Sequence, residues 1–123
     1  MIIYISGPIT NNPNFEHDFA KAEQHLLKLF SNDKSLTIIN PVRFSKAVVG
    51  KPLSYENYLV IDTKLVSLCS HIFFLKNWKE SFGCQIEYLT ALQHKLTKTL
   101  KKVITPENPT LQLTLMLKSM IQS

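Results

Sequence analysis

The segment SFGCQIE, residues 81–87, carries the residue types best suited to chemistry. If a helix begins near Ser81 and Gly83, its exposed N–H groups form an anion site in which a phosphate would fit. Glu87 would follow about one turn later, with its side chain directed back toward the helix start. A carboxylate in that position could attack an electron-poor anomeric carbon, as carboxylates do in glycosyl transfer. The alternative is an ordinary surface glutamate, because most glutamates are exposed.

Three more side chains could join this carboxylate, and each also has a purely structural interpretation. Asp62 lies between apolar neighbours in a predicted helix, so it either orients or protonates a ligand group or faces solvent. Tyr4 lies in a predicted buried strand, where its hydroxyl either reaches the floor of a site or only packs. Trp78 lies in a polar segment, where it either stacks on a base or covers a strand end.

The segment after the first predicted strand offers a second set of binding groups. Gly7 has no side chain, so a ligand could approach its backbone closely. Hydroxyl and N–H groups around it could hydrogen-bond a polar ligand, and the candidate binding residues are Ser6, Gly7, Pro8, Ile9 and Thr10. An ordinary Gly-Pro turn at a strand end is the alternative interpretation. The segment matches neither the Walker pattern nor the dinucleotide-binding pattern G-x-G-x-x-G.

Strands and helices that would position these residues alternate along the chain. Continuous apolar runs predict strands at residues 2–6, 36–40, 71–75 and 101–105. Helical spacing of apolar residues predicts helices at residues 13–30, 54–69, 82–95 and about 109–121. A loop of roughly a dozen residues is expected after Pro41. This order predicts a single α/β domain over residues 1–123, with a flavodoxin-like three-layer fold and a parallel sheet of four to five strands.

A parallel sheet of this kind also predicts where a ligand binds. In a flavodoxin-like strand order the first and third strands are neighbours, and ligands bind beyond the carboxyl ends of the strands at that switch point. Here the switch point lies between residues 6–10 and residues 77–83. The topology therefore brings the two candidate segments together without reference to any family.

Composition restricts the class of protein. The chain has 123 residues, 45% of them hydrophobic and 19% charged, which fits one domain with a substantial core. No apolar run approaches the roughly 18 residues that span a bilayer. No signal peptide is recognisable at the N-terminus, so a cytoplasmic protein without a membrane partner is expected. Cys69 and Cys84 are expected to be reduced thiols, and no residue spacing indicates a metal site.

The net charge of +5 comes mostly from a lysine-rich stretch, Lys95, Lys98, Lys101 and Lys102. No aromatic residues interleave this stretch, as binding to a single nucleic-acid strand would require. The stretch therefore indicates a solvated helix end, and nucleic-acid binding is the weakest of the functional hypotheses. A mildly basic protein would still attract small anions such as nucleotides.

Taken together, these residues resemble a known superfamily. The string YISGPIT, the aspartate in the second predicted helix and the string FFLKNWKESFGCQIEYLTA resemble the nucleoside 2-deoxyribosyltransferase-like proteins, and within them the bacterial and phage branch DUF4406. Deoxynucleoside 5′-monophosphate N-glycosidases are related to this branch. The resemblance covers about residues 1–104, and its most specific part is the pattern W-x-x-S-x-G-x-x-x-E-x-x-x-A, from Trp78 to Ala91.

The resemblance implies a role for each matching residue. Glu87 matches the nucleophile that attacks the anomeric carbon to give a deoxyribosyl-enzyme intermediate, and Tyr4 matches the tyrosine that helps to hold it. Asp62 matches the aspartate that assists proton transfer or contacts the base. Ser81 matches the serine that contacts the 5′-phosphate in the monophosphate hydrolases, with Gly83 matching the glycine between. The resemblance implies no metal and no organic cofactor.

Three features depart from the superfamily pattern. His71 stands where the third strand usually opens with aspartate, and Cys84 and Gln85 replace small residues beside the glutamate. The C-terminal tail has no match. Because neighbouring subunits can complete the site in this superfamily, the apolar tail helix is expected to form the interface of a homodimer or higher homo-oligomer.

The leading hypothesis is an enzyme that cleaves the N-glycosidic bond of a deoxynucleoside 5′-monophosphate. It would act as an N-glycosidase if water accepts the sugar, and as a 2-deoxyribosyltransferase if a second base does. The alternative hypothesis is a protein that binds a nucleotide or a nucleotide-derived signal without cutting it. A third hypothesis is an interaction protein with an inactive site, which predicts no nucleotide binding at all.

Overall fold

The computed structural model describes residues 1–97 and 102–104. Within them lie four strands, β1 (Ile2–Ser6), β2 (Thr37–Ile39), β3 (His71–Phe74) and β4 (Lys102–Ile104). The helices of the same residues are α1 (Phe15–Leu29), α2 (Pro41–Ala47), α3 (Tyr55–Leu68) and α4 (Phe82–Thr97), with a short 3-10 helix at Trp78–Glu80. The four predicted strands and the first three predicted helices are confirmed within a few residues at each end. The helix predicted at about 109–121 lies outside the described residues.

Parallel pairing joins all the strands, in the order β2-β1-β3-β4. Tyr4 on β1 pairs with Ile39 on one side and with Ile72 on the other. This is the flavodoxin-like order, and it confirms the predicted fold with four strands in the part of the chain that is described. The ends of β1 and β3 meet at one edge of the sheet, where the backbone N–H of Leu75 donates to the carbonyl of Ser6 at 2.9 Å.

The two faces of the sheet pack against different helices. One face presents Ile3, Ile5 and Phe73, which form a buried cluster with Phe19 and Leu26 of α1. The other face presents Tyr4, Ile72 and Phe74, whose cluster includes Val66 from α3 and Cys84 and Ala91 from α4. Because both faces are covered, the strands are almost continuously apolar, and the three layers follow from that pattern.

A short helix replaces the long loop that the sequence predicts after Pro41. Asn40 accepts a hydrogen bond from the backbone N–H of Val42 at 3.0 Å through its side chain, and Pro41 occupies the first turn. Asparagine at the cap followed by proline is a helix-start signal, and the prediction of a loop was wrong because Pro41 was interpreted only as the end of a strand. Arg43 pairs with Glu23 and thereby ties α2 to α1.

The remaining helix starts are set locally. Ser54 caps α3, as the sequence predicts, by accepting a hydrogen bond from the backbone N–H of Asn57 at 3.2 Å. Ser81 caps α4 in the same way, because its Oγ accepts from the backbone N–H of Cys84 at 3.3 Å. None of the helices in residues 1–97 is both long and apolar enough to cross a membrane.

Candidate active site

Glu87 lies in the second turn of α4 and is buried, with 6% of its surface exposed. Its Oε1 accepts a hydrogen bond from Ser6 Oγ at 2.9 Å, which ties the helix to the last residue of β1. Its Oε2 has no hydrogen-bond partner among the described residues. A buried polar atom without a partner is costly, and the polar group nearest to this one is the Tyr4 hydroxyl, which also lacks a partner. The interpretation of Glu87 as a surface glutamate is therefore wrong.

The surroundings of Glu87 change its proton affinity strongly. The pKa of this carboxyl is raised from 4.5 to about 8, mainly by burial and to a smaller extent by the charge of Asp62. The nearby Tyr4 hydroxyl and the hydrogen bond from Ser6 act in the opposite direction and lower the pKa. Perturbed carboxyl groups of this kind concentrate at functional sites.

Tyr4 lies fully buried at the centre of β1, next to Glu87. Burial raises the pKa of its hydroxyl well above the ordinary value, and the nearby Glu87 carboxylate adds to the effect. The hydroxyl interacts with Glu87 but does not reach good hydrogen-bond geometry with any described residue. The tyrosine thus supplies a neutral, proton-bearing group beside the carboxylate.

Asp62 lies on α3 and lines the same cavity as Glu87. Partial burial raises the pKa of its carboxyl to about 6. The two carboxyl groups therefore titrate apart, near 6 and near 8, and together they hold about one proton at neutral pH. Two carboxyl groups separated in this way can divide the roles of proton donor and nucleophile.

An inner cavity of about 290 Å³ surrounds these carboxyl groups. Its walls come from the end of β1 and from α2, α3 and α4, and they include Ile9, Val42, Tyr58, Leu59, Asp62 and Glu87. Most of this lining is apolar, with the two carboxyl groups as its ionisable part. A small apolar cavity with a few convergent polar groups is typical of a small-molecule site.

An outer chamber of about 800 Å³ adjoins the inner cavity, and Thr10, Tyr55, Ser81 and Gly83 line both. Residues 8–12 form one rim, where Asn12 Nδ2 donates to the carbonyl of Pro8 at 3.0 Å. The start of α4 forms the opposite rim. The two predicted segments thus flank one opening, as the strand order requires.

Ser81 and Gly83 lie at the start of α4, where they face the chamber. Because Ser81 Oγ accepts the capping hydrogen bond, its own proton stays available as a donor to a ligand. A Cβ added at Gly83 would lie 3.6 Å from Tyr55 Oη, which is an ordinary contact, so glycine is not required here to avoid a clash. The missing side chain leaves the chamber wider. Helix N–H groups and a serine hydroxyl together make a suitable place for an anion.

Gly7 is needed for packing within the protein rather than for space around a ligand. A Cβ at this position would lie 2.5 Å from Leu75 Cδ1, closer than real Cβ atoms approach. Gly7 therefore lets β1 pass against Leu75 and lets the chain turn toward Pro8 and Ile9, which line the outer chamber and the inner cavity respectively. Gly7 itself also lines the inner cavity.

Trp78 lies away from both cavities. Its ring stacks on Phe74 with 4.1 Å between centroids, and it packs against Tyr88 at 5.3 Å. This contact matches the alternative that the tryptophan covers a strand end. In the described residues Trp78 belongs to the cluster beneath the site rather than to its lining.

Several lining residues were missed by sequence reasoning. Tyr55, Tyr58 and Leu59 precede Asp62 by seven, four and three residues, so they share one face of α3, and this spacing was a usable signal. Val42 and Ser45 were missed because α2 was missed. Glu80 lines the outer chamber and had no distinguishing pattern in the sequence.

Cys84 also lines the inner cavity, next to Glu87 on α4. Neither Cys84 nor Cys69 forms a disulfide in the described part of the chain, and burial raises the pKa of Cys84. A buried thiol with a raised pKa is a poor nucleophile, so Cys84 shapes the cavity instead of reacting in it. Among residues 1–97 and 102–104, no three His, Cys, Asp or Glu side chains are placed to hold a metal ion.

Comparisons with known proteins agree with this arrangement at the level of fold. A family model described as a domain of unknown function, DUF4406, matches residues 1–102. Among solved structures, the fold is similar to a 2-deoxyribosyltransferase from the psychrotolerant bacterium Bacillus psychrosaccharolyticus, described as a biocatalyst for the synthesis of antiviral and antitumoral nucleosides. The TM-score is 0.54 at 18% identity, and the match covers 86% of this chain and 73% of that chain. No curated protein matches the sequence significantly.

Proposed function

The chain belongs to the DUF4406 family, and from that premise we propose that it cleaves the N-glycosidic bond of a deoxynucleoside 5′-monophosphate or deoxynucleoside, with Glu87 as nucleophile. The observation that carries the proposal is the buried carboxyl of Glu87, which has one oxygen bonded to Ser6 and the other unpaired. Asp62 stands in the same cavity as a second carboxyl group. The similarity in fold to a 2-deoxyribosyltransferase is consistent with this class of reaction.

In the first step the Glu87 carboxylate attacks C1′ of the sugar. The bond from C1′ to the base nitrogen breaks, and its electron pair leaves with the base. A proton from Asp62 neutralises the base, so the products are the free base and a deoxyribosyl ester of Glu87. This step uses the arrangement with the proton on Asp62 and the charge on Glu87, which is a minor state of the pair, because their pKa values of about 6 and about 8 place the proton on Glu87 in the empty site. Burial still keeps a larger fraction of Asp62 protonated than an exposed aspartate would have.

In the second step a water molecule or a second base attacks C1′ of the ester. The ester C–O bond breaks, Glu87 regains its carboxylate, and the proton of the attacking group passes to Asp62. With water the product is the free sugar or sugar phosphate, and the protein is an N-glycosidase. With a base the product is a new nucleoside or nucleotide, and the protein is a 2-deoxyribosyltransferase.

Ser6 and Tyr4 act as positioning residues in this proposal. The hydrogen bond from Ser6 fixes the rotation of the Glu87 carboxyl, so that Oε2 is the free oxygen. Both neighbours lower the pKa of Glu87 and thereby favour the anion that attacks. They oppose only part of the effect of burial, since the pKa of Glu87 is still about 8.

The sugar and base would occupy the inner cavity, with the base against Ile9 and Tyr58. The 5′ end would then enter the outer chamber, where Ser81 and the N-terminal N–H groups of α4 meet it. Ser81 stands six residues before Glu87, slightly less than two helical turns. Along a helix that spacing separates them by about 9 Å, which suits the reach from a 5′-phosphate to C1′.

Base release from deoxynucleosides and their 5′-monophosphates, followed by chromatography, tests the proposal directly. Each substrate is assayed with and without a second free base. Glu87→Gln should lower turnover by at least about a thousandfold, as expected for loss of a nucleophile. Glu56→Gln is the matched control, because Glu56 is exposed in the first turn of α3 and lines neither cavity.

Base release that persists in the Glu87→Gln variant would show that Glu87 is not the nucleophile. New nucleoside or nucleotide, formed only when the second base is present, would identify the transferase. Release of base and free sugar would identify the N-glycosidase.

A second candidate function is binding without cleavage, and the raised pKa of Glu87 favours it. With a pKa of about 8, this carboxyl is mostly protonated at neutral pH in the empty site and could donate a hydrogen bond to a ligand. A pure binding protein would release no base from any substrate, yet it would bind nucleotides in equilibrium dialysis. A protein that does neither would fit the third hypothesis, an inactive site.

A further inference from the structure

A second cavity of about 550 Å³ lies beside the outer chamber, on the α1 side of the sheet. We call it the lysine pocket, after Lys21 on α1 and Lys76 directly after β3. Its floor is apolar and consists of Ala22, Phe73 and Leu75. The mechanism proposed above uses none of these residues.

The outer chamber is electrostatically unfavourable for a phosphate chain. Its described lining includes the carboxylate of Glu80 and contains no lysine or arginine. A single phosphate there would meet Ser81 and the start of α4 but no cation. Each further phosphate in the same chamber would add repulsion from Glu80, because like charges at short range oppose each other.

The lysine pocket has the opposite balance of charge. Lys21 and Lys76 face one carboxylate, Asp18, which is already engaged by a hydrogen bond from Asn12 Nδ2 at 3.2 Å. His25 also lines the pocket. Exposed lysines bind phosphate groups as mobile point charges, which suits a flexible chain better than a rigid ligand.

Pro8 and Asn77 line both the outer chamber and the lysine pocket, so they form the ridge between them. A chain attached to the 5′ oxygen of the sugar could leave the outer chamber over this ridge. Groups beyond the first phosphate would then reach Lys21 and Lys76. The two cavities are thus arranged as successive parts of one path.

We infer that the substrate carries a 5′ chain of two or more phosphates, with the first in the outer chamber and the later ones at Lys21 and Lys76. This inference rests on the proposed function for the reaction, and it replaces the monophosphate or nucleoside named there by a substrate with a longer 5′ phosphate chain. The lysine pocket acts as a specificity determinant, because it binds a longer anionic chain more tightly and does not contact the N-glycosidic bond that breaks. A deoxynucleoside, which lacks the chain, should not sense the two lysines.

The test compares base release from a deoxynucleoside, its 5′-monophosphate and its 5′-triphosphate. Wild type should show the highest kcat/KM on the triphosphate. The double variant Lys21→Ala/Lys76→Ala should lose about tenfold of kcat/KM on the triphosphate, about threefold for each partly exposed charge contact, and should be unchanged on the deoxynucleoside. Lys64→Ala is the matched control, since Lys64 is exposed on α3 and lines neither cavity.

Base release without preference for the triphosphate, or with a preference that the double variant keeps, would overturn the inference and leave the proposed function standing. No release from any substrate would overturn the proposed function instead. In that case equilibrium dialysis with the triphosphate decides the inference. Binding weakened about tenfold by the double variant would support recognition of the phosphate chain, and unchanged binding would overturn it.

Discussion

The two faces of β1 have different roles, although they belong to one strand of five residues. Ile3 and Ile5 face α1 and join a cluster that is wholly apolar. Tyr4 and Ser6 face α3 and α4, where they meet Glu87. Alternate residues of the strand therefore belong to the apolar core and to the candidate site. Substitutions at neighbouring positions should affect stability and activity separately.

The face toward α3 and α4 buries polar groups that a stable core would exclude. Glu87 is the extreme case, because its folded pKa of about 8 lies far above its ordinary value of 4.5. The folded chain therefore keeps a proton that the unfolded chain releases between these pH values. Stability conferred by that proton is present in full below about pH 4.5 and is lost as the pH rises toward 8. Burial of Glu87 thus lowers the stability of the fold near neutral pH, where the site would act.

The largest expected effect follows from this pH dependence. Between pH 5 and pH 8, wild type should lose up to about 4 kcal/mol of unfolding free energy through Glu87, since each pH unit is worth at most about 1.4 kcal/mol. Glu87→Gln should remove most of that loss and make the protein more stable at pH 8. Urea unfolding of both proteins at pH 5 and pH 8 measures this loss of unfolding free energy. An equal pH dependence in the two proteins would contradict the assignment.

Truncation on the opposite face should give the reverse pattern. Ile5→Ala removes a fully buried side chain from the apolar cluster and should lower the unfolding free energy by about 3 kcal/mol at any pH. Turnover well below the melting temperature should stay near that of wild type. Thermal unfolding together with base release checks both halves. A large loss of activity in the still-folded variant would show that the two faces are coupled.

Ser6→Ala tests the polar face more gently. It removes the hydrogen bond to Glu87 Oε1 and, with it, an influence that lowers the pKa of that carboxyl. Turnover should fall roughly thirtyfold, which corresponds to a rise of about 2 kcal/mol in the activation free energy, as expected for loss of a hydrogen bond to a charged group. Ser6→Thr, which keeps the hydroxyl, should retain more activity. The pH profile should also move to higher pH, whereas a purely structural role for Ser6 would leave it in place.

The smallest expected effect concerns the coupling between the two carboxyl groups. The pair holds about one proton between pH 6 and pH 8, so kcat/KM should be bell-shaped with a maximum near pH 7. Asp62→Asn removes a charge that raises the pKa of Glu87, so the Glu87 titration should move to lower pH. Residual activity should also lose its alkaline decline, because Asp62 no longer has a proton to lose. An unshifted profile would show that the two groups do not interact.

Elements with strong local patterns could be predicted from the sequence. Residues 2–6 and 71–75 are continuous apolar runs, and both form buried strands at the centre of the sheet. The predicted parallel order also places residues 6–10 and 77–83 at one edge, and both segments line the outer chamber there. The hydrogen bond at 2.9 Å between Ser6 and Glu87 was not predicted, because Ser6 was interpreted as a ligand-binding residue.

Features that depend on distant contacts could not be predicted. Trp78 had two equally open interpretations, and its contact with Phe74 and Tyr88 decides between them only through packing. Lys21 and Lys76 are 55 positions apart in sequence and come together only because α1 and β3 are neighbours. The helix α2 was missed for a different reason, since its start signal was local but was interpreted as a stop.

Among the walls of the inner cavity, α2 is attached most weakly. It has seven residues, whereas α3 has 14 residues and α4 has 16. Ion pairs attach it to α1, and salt weakens such contacts. Local unfolding of α2 should therefore require less free energy than unfolding of the longer helices. Substitutions in α2 that admit a bulkier ligand should therefore lower the global stability less than equivalent substitutions in α3 or α4.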